Sequence, residues 1–285
     1  MKTQEAGYYI LNKLRSLYPE GEAAHMADLV MEYITGSGKA ERMIYKNAEI
    51  TTAEEEQLYR FTEKLLRHEP IQYVLNEAWF CGLRFYVNNQ VLIPRPETEE
   101  LVDWVISCCK FPVSELRILD IGTGSGCIPV SLKRRLRKAD VWAVDISPGA
   151  LQVAGQNAEK LGTPVVFKQL DILDESNWSQ LPQFDMIISN PPYVPQKDRL
   201  TMQSNVLDFE PHTALFVPDA DALLFYKKIA AFARCHLLPG GQLYFEIHAS
   251  RGQEMLRMLA GAGYTTELRK DMQGNDRMIR AIPLT

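Results

Sequence analysis

A short apolar stretch, Arg117-Ile118-Leu119-Asp120-Ile121, runs directly into Gly122-Thr123-Gly124-Ser125-Gly126 and then into a helix-periodic segment reaching Leu136. A strand that ends in a glycine-rich turn and opens a helix belongs to a βαβ unit, whose backbone approaches a ligand closely at the turn. The pattern then repeats. Val141 to Val144 reads as a second strand ending in Asp145, and Ser147-Pro148 opens a helix from Ala150 to Leu161. Val165 to Phe167 is a third strand, closing near Asp171-Ile172. A fourth, Phe184 to Ser189, stops at Asn190-Pro191-Pro192-Tyr193, because neither proline has an N–H for the ladder. These elements predict an α/β fold around a mostly parallel sheet, with ligands at the carboxyl ends of its strands.

The remainder completes the sheet. Leu223 to Cys235 reads as a helix, Pro239-Gly240-Gly241 as a turn, and Gln242 to Ile247 as a strand. A helix core at Met255 to Leu259 precedes two strands, Tyr264 to Leu268 and Met278 to Ile282, which flank Gly274-Asn275 as an antiparallel hairpin. Residues 194 to 221 read as a long functional loop. Ahead of the sheet, residues 1 to 70 carry helical periodicity and no chemical motif. Ile10, Leu14 and Leu17 share one face, as do Met26, Leu29, Val30 and Tyr33, with breaks at Pro19-Glu20-Gly21 and Gly36-Ser37-Gly38. Thr52-Ala53-Glu54-Glu55 reads as a capping box for a helix bearing Leu58, Phe61 and Leu65. Pro70 is expected to end this bundle. Residues 71 to 93 then form a linker containing a hairpin, with Asn88-Asn89 at its turn and Val91-Leu92-Ile93 returning. Pro94-Arg95-Pro96-Glu97 opens a further helix and the domain spanning 94 to 285.

Several function classes are disfavoured. The formal net charge is −5, spread over both halves, so no basic domain suggests stable nucleic-acid binding. No apolar run reaches membrane-spanning length, and the first residues lack the apolar core of a secretory signal. Five cysteines without a C-x-x-C spacing, and scattered histidines, predict reduced thiols, no metal site and a cytoplasmic chain.

The candidate site residues follow from chemistry at the strand ends. Gly122, Thr123, Gly124, Ser125 and Gly126 line the close-approach turn, whose spacing is neither the dinucleotide fingerprint nor a Walker loop. Asp145, about 20 residues on, is suited to accept from ribose hydroxyls; a helix-cap role is the rival. Asp171 with Ile172 suits adenine, one accepting from the exocyclic amine and the other covering the ring, unless Asp171 only solvates the acidic loop at Asp174-Glu175. Asn190 offers a side-chain carbonyl, Pro191 a backbone carbonyl, and Tyr193 a flat ring, a set fitted to holding a planar NH2 group. Arg95 and Glu97 are placed to reach the same site.

Taken together, the helical N-terminal region, Pro94-Arg95-Pro96-Glu97-Thr98-Glu99, Asp120 to Gly126, Asn190-Pro191-Pro192-Tyr193 and Phe209-Glu210-Pro211 resemble the class I S-adenosylmethionine-dependent methyltransferases. More narrowly, they resemble the release factor glutamine N5-methyltransferases of the HemK/PrmC type. The resemblance implies a Rossmann-like domain with S-adenosyl-L-methionine as methyl donor and S-adenosyl-L-homocysteine as product. The acceptor it implies is the glutamine of the Gly-Gly-Gln motif in peptide chain release factors. It further implies that Gly122 to Gly126, Asp145, Asp171, Ile172 and Asn190 hold the cofactor. Asn190, Pro191, Pro192, Tyr193, Arg95, Glu97 and Glu210 would meet the substrate, and residues 1 to 70 would recognise it. The four-residue motif at Asn190 is shared with adenine N6-methyltransferases, so methylation of DNA or RNA is one alternative. A non-catalytic, cofactor-bound module that docks a translation factor is the other.

Overall fold

The computed structural model describes residues 1–109, 116–202 and 204–284 of the chain, which falls into two compact units. The first comprises residues 1–77 together with the short helix α9 (Ser204–Phe209). Its helices are α1 (Thr3–Leu14), α2 (Glu20–Thr35), α3 (Lys39–Ile44), α4 (Thr52–Leu66) and α5 (Ile71–Leu75). Ala6, Ile10 and Leu14 recur every fourth residue along α1 and pack on Met26, Val30 and Ile34 of α2 and Leu58 and Leu65 of α4. Gly36 ends α2 in the left-handed conformation at φ +67°.

Two expectations are corrected in this unit. The capping box lies one residue earlier, with Thr51 Oγ1 accepting from Glu54 N at 3.2 Å and Glu54 Oε2 accepting from Thr51 N at 2.6 Å. Paired threonines and a run of three glutamates offer both registers, and Glu55 instead meets the N-terminal ammonium at 3.2 Å. Pro70 does not end the bundle; it is the N-cap of α5, whose Ile71, Val74 and Leu75 join the same core. A proline without an N–H is as well suited to begin a helix as to stop one.

The second unit spans residues 78–202 and 210–284. It opens with a hairpin of β1 (Ala78–Phe80) and β2 (Leu83–Phe85), so the hairpin lies earlier than expected and turns at Cys81-Gly82. Both turn residues have positive φ, +50° and +70°, as a two-residue hairpin turn requires. Asn88-Asn89 does turn, Val91 N donating to Asn88 O at 3.1 Å, but its flanks are not strands. Pairing stops after Phe85 because buried Asn157 takes up the next peptide. Its Oδ1 accepts from Tyr86 N at 2.7 Å and its Nδ2 donates to Tyr86 O at 2.9 Å.

The main sheet has seven strands among the described residues, ordered β10-β11-β9-β6-β3-β4-β5. Its parallel members are β3 (Arg117–Ile121), β4 (Asp140–Asp145), β5 (Val166–Gln169), β6 (Phe184–Ser189) and β9 (Leu237–Glu246). The hairpin of β10 (Tyr264–Lys270) and β11 (Asp276–Pro283) adds antiparallel to β9. Pro239-Gly240-Gly241 is no turn between elements. It is a register shift inside β9, where Phe184 pairs with Leu237 and Met186 next pairs with Gln242.

Alternation along the strands fills both faces. Leu119, Ile121, Ile187, Leu243 and Phe245 pack with α11 (Leu224–His236) and α12 (Gly252–Gly261). Ile118, Met186, Ile188 and Tyr244 pack with α6 (Pro96–Cys108) and α7 (Cys127–Arg135). α8 (Pro148–Lys160) starts at Ser147, whose Oγ accepts from Ala150 N at 3.2 Å. The expected loop at 194 to 221 carries short elements of its own. β7 (Val194–Pro195) pairs in parallel with β8 (Phe216–Val217), and α10 (His212–Leu215) precedes β8.

Candidate active site

Strand register brings the motifs to one edge. Ile121 lies beside Val144 and Ser189, and Ser189 lies beside Phe245. The residues that follow, Gly122, Asp145, Asn190 and Glu246, therefore leave four neighbouring strands at the same carboxyl end, where an open α/β sheet binds ligands. Ser189 Oγ donates to Ile121 O at 2.7 Å and ties β6 to β3 just below that edge.

The glycine turn folds back on β4, with Gly122 N and Thr123 N both donating to Val144 O, at 2.9 and 3.1 Å. Gly122 and Gly124 have φ of +77° and +53°, and a Cβ on either would meet nothing within 4 Å. The backbone there faces open space that a ligand can enter. Gly126, at φ +79°, serves packing instead. A Cβ on it would lie 3.0 Å from that of Ala154, so its bareness lets α7 pack against α8.

Beneath the turn lies an acid whose importance its place in the motif does not reveal. Asp120 is fully buried, and among the described residues neither its carboxylate oxygens nor the buried hydroxyls of Thr123 and Ser125 have a hydrogen-bond partner. Burial pushes the Asp120 carboxyl up to about 7, with the Thr123 side chain acting against the rise and Asp145 adding to it. An acid in an otherwise apolar strand was the available signal.

Asp145 Oδ2 accepts from Gly124 N and its Oδ1 from Ser147 N, each at 2.9 Å. It thereby clamps the glycine turn to the end of β4, while Ser147 caps α8. Burial raises the Asp145 carboxyl, and the backbone donors hold it back. Asp171 uses one oxygen to accept from Leu173 N at 2.9 Å. Ile172 points its side chain into the core with Leu170 and Trp178, and its carbonyl accepts from Trp178 Nε1 at 3.0 Å. The exposed aliphatic group at this edge is instead Ile146, next to Asp145 and 57% accessible.

Asn190 is half-buried, and its Nδ2 donates to Thr98 Oγ1 at 3.3 Å. Thr98, buried in α6, in turn donates to Glu246 Oε2 at 2.6 Å. Glu246 is 1% exposed. Burial pushes its carboxyl up to about 7, against the pull of Thr98 and Arg277. Pro191 is buried and Pro192 half-buried. The Tyr193 ring meets His248 edge-on at 5.7 Å, and burial together with the Glu246 charge pushes its hydroxyl up to about 12, keeping it neutral.

Arg95 and Glu210 are brought together, Nη2 to Oε1 at 2.6 Å, and Glu210 Oε2 also accepts from Ile93 N at 3.2 Å. They pin the Glu210-Pro211 turn to the entrance of α6. Burial raises the Glu210 carboxyl and Arg95 opposes this. Glu97 is half-buried in the first turn of α6 and adds to the negative field at Glu246 and Tyr193. No helix among the described residues is long and apolar enough to cross a membrane.

Comparison with known proteins gives this geometry a family. A methyltransferase-domain profile matches residues 112–259, and a PrmC N-terminal-domain profile matches residues 9–75. The release factor glutamine methyltransferase of Bacteroides thetaiotaomicron is 42% identical over 96% of this chain and 97% of its own length. That of Flavobacterium psychrophilum is 41% identical over 94% of each. A crystal structure of a methyltransferase from Pyrococcus furiosus shares the fold, with a TM-score of 0.50 at 15% identity over 82% of this chain and all of that one. The chain belongs to the release factor glutamine methyltransferase family.

Proposed function

We propose that this enzyme transfers a methyl group from S-adenosyl-L-methionine to the side-chain amide nitrogen of the glutamine in the Gly-Gly-Gln motif of peptide chain release factors. The observation that carries the reading is the state of Asn190. Its NH2 group is engaged by Thr98, whereas no hydrogen bond among the described residues uses its carbonyl oxygen. That oxygen, with the Pro191 carbonyl, makes an acceptor pair for a planar NH2 group at the ligand edge of the sheet.

The residues present fit the cofactor. Open space over Gly122 and Gly124 admits its amino-acid portion. The Asp120 carboxyl beneath, unpaired among the described residues and raised by burial, would be drawn to its charged form by a cation there. Asp145 has lone pairs left for ribose hydroxyls after its two backbone bonds. Asp171 retains an oxygen for the adenine amine, and Ile146, rather than the buried Ile172, is exposed to cover the ring. The cofactor supplies an electrophilic methyl group on a sulfonium sulfur.

An amide nitrogen is a weak nucleophile because its lone pair is delocalised, to the extent of a rotational barrier of about 18–20 kcal/mol. Asn190 Oδ1 and the Pro191 carbonyl accept from the two N–H groups and fix the nitrogen on the line of attack. As positive charge grows on nitrogen, these bonds strengthen toward charge-assisted values of roughly 1.5–3 kcal/mol each. Binding that grows in this way lowers the barrier without a strong base. Once the new N–C bond has replaced the sulfonium S–C bond, the nitrogen gives up its extra proton to water. Tyr193 remains neutral and packs its ring beside the amide. The helical unit recognises the release factor.

Asn190→Ala tests the reading. It is expected to lower kcat by about 10²–10³-fold while leaving KM for the release factor nearly unchanged. A variant that only raises KM and turns over normally at saturation would make Asn190 a turn residue.

A further inference from the structure

We propose that the buried Thr98–Glu246 pair is a polarity lock on Asn190, fixing its amide in the one orientation that shows the carbonyl oxygen to the substrate. The inference rests on the amide-methylation reading and assigns positioning roles to two residues that do not themselves touch the reacting atoms.

An asparagine side chain has two nearly isosteric orientations, related by exchange of C=O and NH2. Only one suits an acceptor site. In the other, the Asn190 NH2 would face the substrate NH2, donor against donor. Nothing in the shape of the side chain chooses between them, so the choice falls to its neighbours, the Thr98 hydroxyl and the Glu246 carboxylate, which the Asn190 side chain also helps to hold charged. A threonine hydroxyl has one proton to give and lone pairs to receive. Here the proton is committed, because Glu246 Oε2 lies 2.6 Å away and an ionised carboxylate only accepts. What Thr98 Oγ1 has left for Asn190 is a lone pair, which the Asn190 NH2 meets at 3.3 Å. Asn190 Oδ1 is thereby turned away from Thr98.

The three residues come from α6, the end of β6 and the end of β9; the register of β6 on β9 sets Asn190 beside Glu246, and the packing of α6 on β9 brings Thr98 to both. A buried acid at a strand end is costly unless it is hydrogen-bonded. A residue of similar volume without charge would pack as well, but could not force the direction of the Thr98 hydroxyl.

The groups facing Glu246 set when the lock holds. Thr98 and Glu97 come from α6, Asn190 and Tyr193 from the segment after β6, and Arg277 from β11; Tyr226 of α11 donates to the Glu246 backbone carbonyl at 3.0 Å. Arg277 favours the carboxylate, although its Nε is shared with Asp271 at 3.1 Å, and Glu97 disfavours it. Burial is the largest influence and places the Glu246 titration close to neutrality. Once protonated, Glu246 can donate to Thr98; the Thr98 proton is then free to turn to Asn190, and the amide can flip. Turnover should therefore fall as pH drops through this range.

The test compares the full-length wild type with Thr98→Val, Thr98→Ser and Glu246→Gln, measuring methyl transfer from labelled S-adenosyl-L-methionine to an intact release factor across pH 5.5–8.5 (roughly a unit and a half either side of neutral). Calorimetric cofactor binding on each variant reports whether the fold is kept. Thr98→Val is near-isosteric; its kcat is expected to fall about 10- to 100-fold with KM within about twofold of wild type. Thr98→Ser restores most of the loss. Glu246→Gln lowers the plateau, since a glutamine can face Thr98 with either end, and removes the acid limb of the kcat profile. Wild-type kcat in Thr98→Val, a serine variant no better than valine, or an acid limb persisting in Glu246→Gln would each overturn the lock. Absence of transfer by the wild type itself would instead overturn the amide-methylation reading and the lock with it.

Discussion

Replacing Asp145 with alanine removes one side chain that does two jobs at the sheet edge. Its carboxylate accepts from Gly124 N and Ser147 N, both at 2.9 Å, and so joins the glycine turn to the end of β4. A hydrogen bond to a charged acceptor contributes roughly 1.5–3 kcal/mol, so the pair contributes about 3–6 kcal/mol gross. Two effects reduce that figure. Burial already raises the Asp145 carboxyl, so removing the charge recovers part of its desolvation cost. The side chain is only partly buried, so water can reach the orphaned N–H groups. A net stability loss of about 2–3 kcal/mol remains, readable by urea denaturation. Cofactor affinity should fall further than stability alone explains, because the turn loses its anchor and the ribose loses its acceptor. The expected loss is about 2–4 kcal/mol, roughly 30- to 1,000-fold in Kd by titration calorimetry. Asp145→Asn keeps one acceptor and should fall between. Unchanged cofactor affinity in Asp145→Ala would refute both the anchoring and the ribose contact.

Further perturbations probe other parts of the molecule. Asp120→Asn should gain stability over wild type as pH rises. The native carboxyl titrates near 7, whereas the unfolded one titrates near 3.8, so the wild type loses stability across that window by up to about 1.4 kcal/mol per pH unit. A flat difference in unfolding free energy between pH 4 and pH 7 would contradict the burial argument, and the same variant should bind cofactor more weakly. Gly126→Ala forces a Cβ at φ +79° to within 3.0 Å of the Ala154 Cβ and should cost about 1–3 kcal/mol in urea denaturation. Removing residues 1–77 should leave calorimetric cofactor binding in place and abolish methylation of intact release factor; full activity would show that the helical unit is not the recognition surface.

Much of this site is legible in the sequence because its parts are local. A strand that ends in Gly122-Thr123-Gly124, or in two prolines after Asn190, has its element type and its end written in adjacent residues. Other features depend on choices between equally local signals. Thr51-Thr52 and Glu54-Glu55 encode two capping boxes, and the N-terminal ammonium and the Tyr59 hydroxyl, both bonded to Glu55, separate them. Asn88-Asn89 is the stronger turn signal, yet the hairpin closes at Cys81-Gly82, where a non-glycine residue accepts positive φ so that Phe80 and Phe85 can meet edge-to-face in the core. Pro70 carries the same chemistry whether it stops a helix or starts one. Ile172 and Ile146 are both aliphatic residues beside an acid, and only the packing of Trp178 over the former decides which faces the ligand edge. Thr98 and Glu246 are 148 residues apart, and no spacing rule connects them. Packing of α6 against β9 does so, and that packing is a property of the assembled fold.

Transfer of a labelled methyl group tests most directly whether this edge of the sheet methylates a release-factor glutamine. Purified protein is incubated with labelled S-adenosyl-L-methionine and, in separate reactions, an intact release factor, the same factor with the glutamine of its Gly-Gly-Gln motif replaced by alanine, and duplex DNA or RNA. Label should enter the intact factor alone, at a single site that mass spectrometry of its peptides assigns to the glutamine side chain. Label entering the alanine-substituted factor equally, or entering nucleic acid in its place, would contradict the proposed activity.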